Sequence, residues 1–570
     1  MSDGPRTETF PSGDLVPTVR LFAPANGLFL AVLLSVEFVL FRGFVAREIA
    51  PQPPRRHDQA VYLREAYRIH RQASDEGVGT ALRAAAERSG PTGLLFPIEG
   101  AVLCLVAGPS RVSALTVNFL LFAFLQIAVF AALVSTFRRF SFAAFGLGLL
   151  LLTRSPFFWA GGLTDFRIDL AACCLYGVFL AAALRSSFFT SRVWSIALGL
   201  AAGLCILNRY LTIAYFAGLA LAVLPGVVIL SRARSSQARW SRSRALSALL
   251  ATGSALLICG PVLWANRRAI WQYYFVGHFG GAGVIRARAF GIQTGLFYYP
   301  RSILSAHPGP AAILAIIFVA AGLFYFVRGV RTALVDHSSR TLFREGLLFF
   351  VTAFAVPFAL LASDPDKSPV VGSIFVPPLL FLSLWLLAKW SGLLSGQRVK
   401  EGADRFWGIS GPAVLAAGFL TFASRLTWAG PAPDPGRQEA ARLHDVATGF
   451  ARREGWKTGI VSSDRLDDSF DADTLSVFSF ERDGILREFE FGLPRGILAV
   501  DPSTALDVVR RSRFVLLTES ETHPGGLPYD RSMRPLTGDL SSLCRELFVP
   551  LGRFRLPGRT AVLWVRRGPG

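Results

Sequence analysis

Apolar residues along this chain gather in blocks of about twenty, set apart by polar connections, and that is the length a helix needs to cross the hydrocarbon core of a bilayer. The blocks are Leu21–Phe41, Ser113–Phe137, Ser141–Gly161, Ile168–Leu184, Val193–Leu207, Leu211–Leu230, Ala245–Ala265, Pro310–Val327, Gly346–Ala362, Val370–Ala388 and Ile409–Ala423. They predict a mainly α, polytopic transmembrane helical bundle of about eleven spans over residues 21–424, after a cytoplasmic tail at 1–20.

The pattern breaks twice. Between the first two blocks, Arg42 to Ser110 is too long and too charged for a turn between spans. Its apolar positions Val61, Leu63, Ala66, Tyr67 and Ile69 suit an amphipathic helix lying on a membrane surface. Its far end, Thr92–Gly108, is apolar but interrupted by Pro97, Glu99 and Gly100. Loops of this length with their own helical pattern carry function, so 42–110 is predicted as a catalytic external loop. The second break follows Ser424. Pro431, Pro433 and Pro435 stiffen a linker over 425–436. Helical periodicity over Arg437–Arg453 then gives way to strands at Thr458–Val461 and Phe514–Leu517, helices at Ala505–Arg511 and Leu540–Leu547, and a closing strand pair at Gly552–Leu556 and Thr560–Val565. That alternation predicts a small external α/β domain over 437–570.

Composition agrees with the membrane reading: 52% of the 570 residues are hydrophobic and 48 are Phe. The net charge of +20 would suggest nucleic acid in a soluble protein. Here the arginines cluster in alternate connections, at Arg138-Arg139, Arg185 with Arg192, Arg232–Arg244, Arg328–Arg344 and Lys389–Arg405. This is the positive-inside distribution, and it sets nucleic acid aside. It places the N-terminus in the cytoplasm and puts the long loop, the turn at Asp165, the 266–309 segment, the turn at Lys367 and the tail outside. Of the 6 Cys, Cys544 stands alone in the tail and the others lie in apolar segments, so no disulfide framework is implied.

The ionisable residues of the outward connections collect on one side. His57 and Asp58 open the long loop. Asp165 and Asp169, in Thr164-Asp165-Phe166-Arg167-Ile168-Asp169, are four apart and share a helix face, so they need a cation, a metal or a ligand between them. The bland alternative is a helix cap at Asp165 and a structural Asp169. Arg209, in Asn208-Arg209-Tyr210, sits at an outer mouth where basic residues are uncommon, and reads as an anion contact or a headgroup contact. Glu37 and Arg154 lie within spans, and Glu37 is expected to pair with Arg42. The aromatic run Trp271-Gln272-Tyr273-Tyr274-Phe275 leads to His278, a titratable group that could orient an acceptor or a phosphate. Lys367, between Pro365 and Pro369, is placed to meet a phosphate or a headgroup. The tail acids Asp464, Asp467, Asp468, Asp471 and Asp473 lack the spacing of a calcium loop and read as a solvated loop capped into a helix at Asp473-Thr474. The chain lacks a Walker-type phosphate loop, a nucleophile elbow and a zinc-spaced Cys/His set.

This order of parts resembles the glycosyltransferase-C superfamily over approximately residues 20–425, and within it bacterial enzymes related to protein mannosyltransferases and lipid A aminoarabinose transferases. His57-Asp58-Gln59-Ala60-Val61-Tyr62 sits where that family has an acidic pair followed by an aromatic, with Gln59 in place of the second acid. Asp169 in Arg167-Ile168-Asp169-Leu170 looks like the family's acid at the head of the fourth span, with Asp165 competing for the assignment. Arg209, Tyr273–His278 and Lys367-Ser368-Pro369 resemble its basic, aromatic-histidine and lysine-proline segments.

The resemblance implies a multi-pass enzyme of the bacterial inner membrane that moves a sugar from a polyprenyl-phosphate carrier to an envelope acceptor. Asp58 would be the general base, with Asp169 and Asp165 as further candidates for catalysis. His57, Tyr62, Arg167, Arg209, His278 and Lys367 would bind substrate. One base suffices for an inverting displacement, and a divalent metal bridging Asp58 and Asp169 is admitted without being required. A flippase for a polyprenyl-linked precursor is the alternative, although repeated halves with interrupted spans are not seen. A non-catalytic scaffold is a third reading. The sugar, the acceptor, the carrier length and the oligomeric state stay open.

Overall fold

A computed structural model describes residues 24–54, 57–158, 160–232, 238–277, 298–301, 307, 309, 313, 316–317, 337–364, 367–391, 393, 401–427, 435–466, 470–493, 500–522 and 528–567. The first half is helical throughout: α1 Pro24–Phe44, α2 His57–Glu76, α3 Val78–Arg88, α4 Leu95–Ala107, α5 Arg111–Phe137, α6 Phe140–Leu152, α7 Ile168–Arg185, α8 Arg192–Asn208, α9 Thr212–Arg232 and α10 Ala238–Trp271. The bundle continues with α11 His337–Ser363, α12 Val376–Trp390 and α13 Glu401–Thr427. Among the described residues, 8 helices are long and apolar enough to cross a membrane. The blocks expected at Val193–Leu207 and Leu211–Leu230 fall on α8 and α9, whose qualifying apolar stretches are shorter. Pro310–Val327 lies almost wholly outside the described residues.

With lipid on one side and protein on the other, these helices associate by close packing of small residues. A methyl at Gly148 would meet the main chain of Val414 and Leu415 at 2.6 Å, and one at Gly411 would meet Ser141 O at 2.1 Å; α6 and α13 therefore touch backbone to backbone. Buried Glu37 accepts from Gln126 Nε2 of α5 at 2.7 Å. The expected partner Arg42 is replaced by a neutral amide, because Glu37 faces α5 across the bundle.

The 42–110 loop corrects one expectation. α2 does present Ala60, Leu63, Ala66, Tyr67 and Ile69 on one buried face, but protein rather than lipid covers it. Leu63, Ala66 and Tyr67 join the main core with Phe96 and Cys104 of α4, and the Tyr67 ring lies 4.8 Å from Phe480. The period of an apolar stripe fixes which face is buried and leaves open what buries it.

The C-terminal region comprises α14 Pro435–Arg453, β1 Thr458–Ser463, α15 Ala472–Asp483, β2 Glu488–Phe491, α16 Pro502–Arg511, β3 Phe514–Glu521, α17 Pro528–Met533, α18 Thr537–Leu547, β4 Phe548–Leu556 and β5 Arg559–Arg566. Its five strands run in the order β2-β1-β3-β5-β4. β2, β1 and β3 are parallel, and β5 and β4 pair antiparallel. Residues of α14 and α15 pack on one face of the sheet, and α16, α17 and α18 pack on the other. This is the mixed α/β layer expected from the alternating pattern.

An array of charged groups joins the sheet region to the loop. Arg64 Nη1 donates to Asp473 Oδ1 at 2.6 Å and pairs with Glu488, and Arg68 Nη2 reaches Glu488 Oε2 at 2.6 Å. Arg111, fully buried at the start of α5, grips Glu481 through Nε and Nη2 at 2.8 and 2.5 Å. Tyr67 donates to the same carboxylate at 2.6 Å, and burial pushes the Tyr67 phenol above its ordinary pKa. Glu481→Gln removes charge from a two-pronged guanidinium contact while keeping its shape. It is expected to destabilise the protein by about 2 kcal/mol, read as an earlier unfolding transition in detergent.

Candidate functional site

The residues singled out in the sequence meet where α2, the 158–167 connection and the turn after α8 converge. Asn118 of α5 organises that connection: its amide donates to the carbonyls of Gly162, Leu163 and Asp165 at 3.3, 3.1 and 2.9 Å. Gly161 holds φ at +77°, and a methyl there would press on Val370 and on Asp169 Cβ. Only glycine suits that position. Its N–H donates to Asp165 Oδ2 at 2.6 Å, so Asp165 braces the connection. Asp169, in the first turn of α7, faces elsewhere.

Asp169 pairs with Arg209, and Arg167 Nε lies 3.8 Å from Asp169 Oδ2 and 4.0 Å from Asp165 Oδ2. The other end of Arg167 binds Asp58. The result is a run of alternating charge, Asp58–Arg167–Asp169–Arg209, that answers the like-charge problem of the two carboxylates with guanidinium groups. Its two ends differ. The Asp58 side chain is 52% exposed, and that of Asp169 is 5% exposed. Asp58 begins α2, and its neighbour Gln59 is buried, its amide donating to Thr164 O at 3.4 Å. The residue standing in place of a second acid therefore ties α2 to the connection.

Arg209 sits in extended backbone just past α8. Leu94 N donates to Leu207 O and Tyr210 N to Thr92 O, each at 3.0 Å. A methyl at Gly93 would collide with Asn208 O at 2.1 Å. The far end of the first loop is thus stitched to the arginine by main chain. Tyr62, one turn after Asp58, bonds Thr92 and lies within the electrostatic reach of Asp58, Arg209 and Tyr273; burial raises its pKa above the usual phenol value. Beneath the pair is a small cavity lined by Asp169, Arg209, Tyr215, Ala172, Val371 and Ile374. It combines one charged end with an apolar wall.

Other expected residues are placed differently. His57 turns from Asp58 towards the tail: Nδ1 is 2.9 Å from Asp471 Oδ2 and 3.7 Å from Asp473 Oδ2. Asp464, Asp471 and Asp473 are buried, so the solvated-loop reading of these acids does not hold; Asp467 and Asp468 lie outside the described residues. His57, Asp471 and Asp473 are the described residues that could hold a metal, with donor atoms within 4.8 Å of one another. One imidazole and two carboxylates suit a divalent ion, while Asp58 and Asp169 already meet arginines. Lys367 is buried, and its ammonium donates to Leu361 O at 3.1 Å and to Ala362 O, at the end of α11. Burial lowers its pKa. His278 lies outside the described residues.

Two residues near this cluster had no assigned role. His307 bonds Pro369 O through Nε2 at 2.7 Å and contacts Ser155 Oγ at 3.2 Å, fastening two connections. Glu99 of α4, a helix too short to span the bilayer, is the clearer omission. It lies 3.4 Å from Asn208 Nδ2, and its Oε2 is buried without a hydrogen-bond partner among the described residues. Desolvation pushes its pKa up to about 7 against the opposing Asn208 bond. A carboxylate within Leu94–Ala107 was the available signal. Because the folded form binds the proton more tightly than the unfolded chain, this group's contribution is fully present below about pH 4.5 and is lost as pH rises through about 7. Glu99→Gln is expected to flatten that fall and to raise stability at pH 8 by about 2–3 kcal/mol, measured as thermal midpoints from pH 5 to 8.

With this geometry in hand, comparison with known proteins is informative at the level of fold. No protein-family description and no curated protein matches the sequence. Among solved structures, ArnT from Cupriavidus metallidurans in the apo state matches with TM-score 0.56 at 13% identity, over 95% of this chain and 98% of that one. The chain has the fold of ArnT. The structure of ArnT bound to undecaprenyl phosphate matches with TM-score 0.55 at 13% identity, over 96% and 99% of the two chains. The archaeal oligosaccharyltransferase AglB from Archaeoglobus fulgidus matches at 12% identity and TM-score 0.46, over 95% of this chain and 74% of that one. The likeness to ArnT covers the bundle, the first loop and the C-terminal sheet together.

Proposed function

We propose that the protein is a membrane glycosyltransferase that moves a sugar from a polyprenyl-phosphate carrier to an envelope acceptor, on the side of the bundle bearing the loop and the sheet. The observation that carries this reading is the charge run itself. It joins a half-exposed carboxylate on the loop to a partly buried guanidinium lining a small cavity with apolar walls. A guanidinium beside apolar side chains suits an amphiphile with an anionic head, and ArnT, whose fold this chain shares, has been seen bound to undecaprenyl phosphate.

In this reading the acceptor hydroxyl gives its proton to Asp58 as its oxygen attacks the anomeric carbon. The bond from that carbon to the phosphate oxygen breaks on the opposite face, with inversion. Charge gathering on the departing lipid phosphate is stabilised by Arg209. Arg167 orients Asp58 and bridges to Asp169, and Asp169 aims Arg209. Lys367, with two N–H groups directed at helix-end carbonyls, is a secondary cation. The orientation with cytoplasmic N-terminus and external loop and tail is part of the proposal and rests on the distribution of arginines.

The test is transfer by purified protein in nanodiscs, from polyprenyl-phosphate sugars to a crude envelope acceptor. The expected result is a labelled acceptor and released lipid phosphate. Protein-dependent movement of the lipid across a vesicle membrane with no transfer from any donor would replace this reading with the flippase.

A further inference from the structure

We propose that the C-terminal region carries a second binding site, for a neutral or amino sugar unit, in the crevice at the carboxyl ends of β1 and β3. The order β2-β1-β3 sends the chain from β1 to β2 through α15 on one face and from β2 to β3 through α16 on the other. β1 and β3 are therefore adjacent parallel strands whose connections leave in opposite directions. In open α/β sheets this switch point opens a crevice beyond the strand ends, where ligands bind.

Here the crevice is present as a cavity of about 170 Å³. Asp464 and Arg465 follow β1 directly, Glu519 and Glu521 come from the part of β3 that runs on past β1, and Asp530 and Arg534 close the far side. The volume is below the roughly 300–1,000 Å³ of pockets that enclose large ligands, so it suits a single ring.

The lining narrows the chemistry. Every described lining residue is polar, and the apolar surface comes from their aliphatic stems, so no apolar or aromatic side chain among the described residues is there to receive a lipid or an aromatic base. Four carboxylates face two arginines, and Asp464 is further tied to buried Arg559 at 3.2 Å. Glu519 is likewise paired with Arg553, so the carboxylates are already matched by guanidinium groups, and a phosphate or uronic acid would add a charge without a partner. The turn after β1, Ser463-Asp464-Arg465-Leu466, also lacks the glycines that cradle a dinucleotide. Acceptors and donors side by side, with aliphatic stems between them, suit a polyhydroxylated ring, each hydroxyl giving one hydrogen bond and accepting another. One donor stands ready. Arg465 Nη1 is shielded from solvent and has no hydrogen-bond acceptor among the described residues; Glu521 Oε2 stands off at 3.5 Å. Glu521 Oε1 lies 3.4 Å from Arg534 Nε, so this carboxylate sits between two guanidinium groups and is fixed in direction. The inference stands apart from the transfer chemistry.

The test uses the full-length protein in nanodiscs and saturation-transfer NMR with a methyl hexoside, an amino-hexoside and a hexuronide. The neutral and amino sugars are expected to bind, and the uronide about tenfold more weakly or not at all. Arg465→Ala should weaken binding about tenfold. Ser520→Trp, at an exposed strand end, should block the crevice without disturbing the fold, checked by an unchanged melting transition. Absence of binding by either sugar, binding that survives Ser520→Trp, or preference for the uronide would overturn the proposal.

Discussion

Asp58→Asn is expected to lower sugar transfer by about 10²–10⁴-fold, with the loss in kcat and little change in KM. The substitution keeps an oxygen for Arg167 and the residue's place in the first turn of α2, and removes only the ability to take a proton. Half-exposed Asp58 is open to an incoming hydroxyl, whereas buried Asp169 is paired with Arg209 and Asp165 holds the Gly161 N–H. Rates of labelled-sugar transfer at saturating donor, with a matched melting curve, provide the measurement. Undiminished transfer would move the base to Asp169 or Asp165 and dismiss the role given to the loop.

Arg209→Ala should fail in two ways. Removing the guanidinium deletes the cation proposed to face the departing phosphate, worth about 10²–10³-fold in rate by analogy with single oxyanion donors. It also leaves the buried Asp169 carboxylate with only the more distant Arg167 Nε, at 3.8 Å, and removing one member of a buried pair costs up to about 3–5 kcal/mol. The two effects separate in Asp169→Asn combined with Arg209→Gln. The neutral pair should recover most of the stability, because no lone charge remains, and should still transfer poorly. If the double variant also recovers transfer, Arg209 serves only as the structural counter-ion of Asp169, and the phosphate contact must lie elsewhere.

Features set by local physics were legible in the sequence. Apolar blocks announced helices because lipid admits few other arrangements of the backbone, and the strands and helices of the tail appeared at β1, β3, β4, β5, α16 and α18 within a few residues of their expected limits. β2, with four residues, was too short to stand out. Asp165 and Asp169 were expected to share a helix face, but α7 begins at Ile168 and leaves Asp165 in the connection; a cation, Arg167, does lie between them, and the spacing is not its cause. Nor could the spacing distinguish the carboxylate that braces Gly161 from the one that meets Arg209, since that depends on a glycine at φ +77° and on Asn118 a whole helix away. The partners of α2 were beyond sequence reasoning for a different reason. Arg64 and Glu488 are 424 positions apart, and no local pattern joins them. His57 shows the same limit: its place beside Asp58 suggested a shared task, yet successive residues at a helix start point in different directions, and this one faces the tail.

The clamp on α2 also has a consequence for how the protein is made. Asp473, Glu481 and Glu488 lie in the last quarter of the chain, and they hold Arg64, Arg68 and Arg111 near its beginning. While the ribosome is still adding the membrane helices, the arginines of the first loop have none of these partners, and the helix bearing Asp58 lacks one of its walls. Contacts so distant in sequence form late. A nascent chain that has not yet produced its final sheet therefore cannot fully assemble the loop that carries the proposed base.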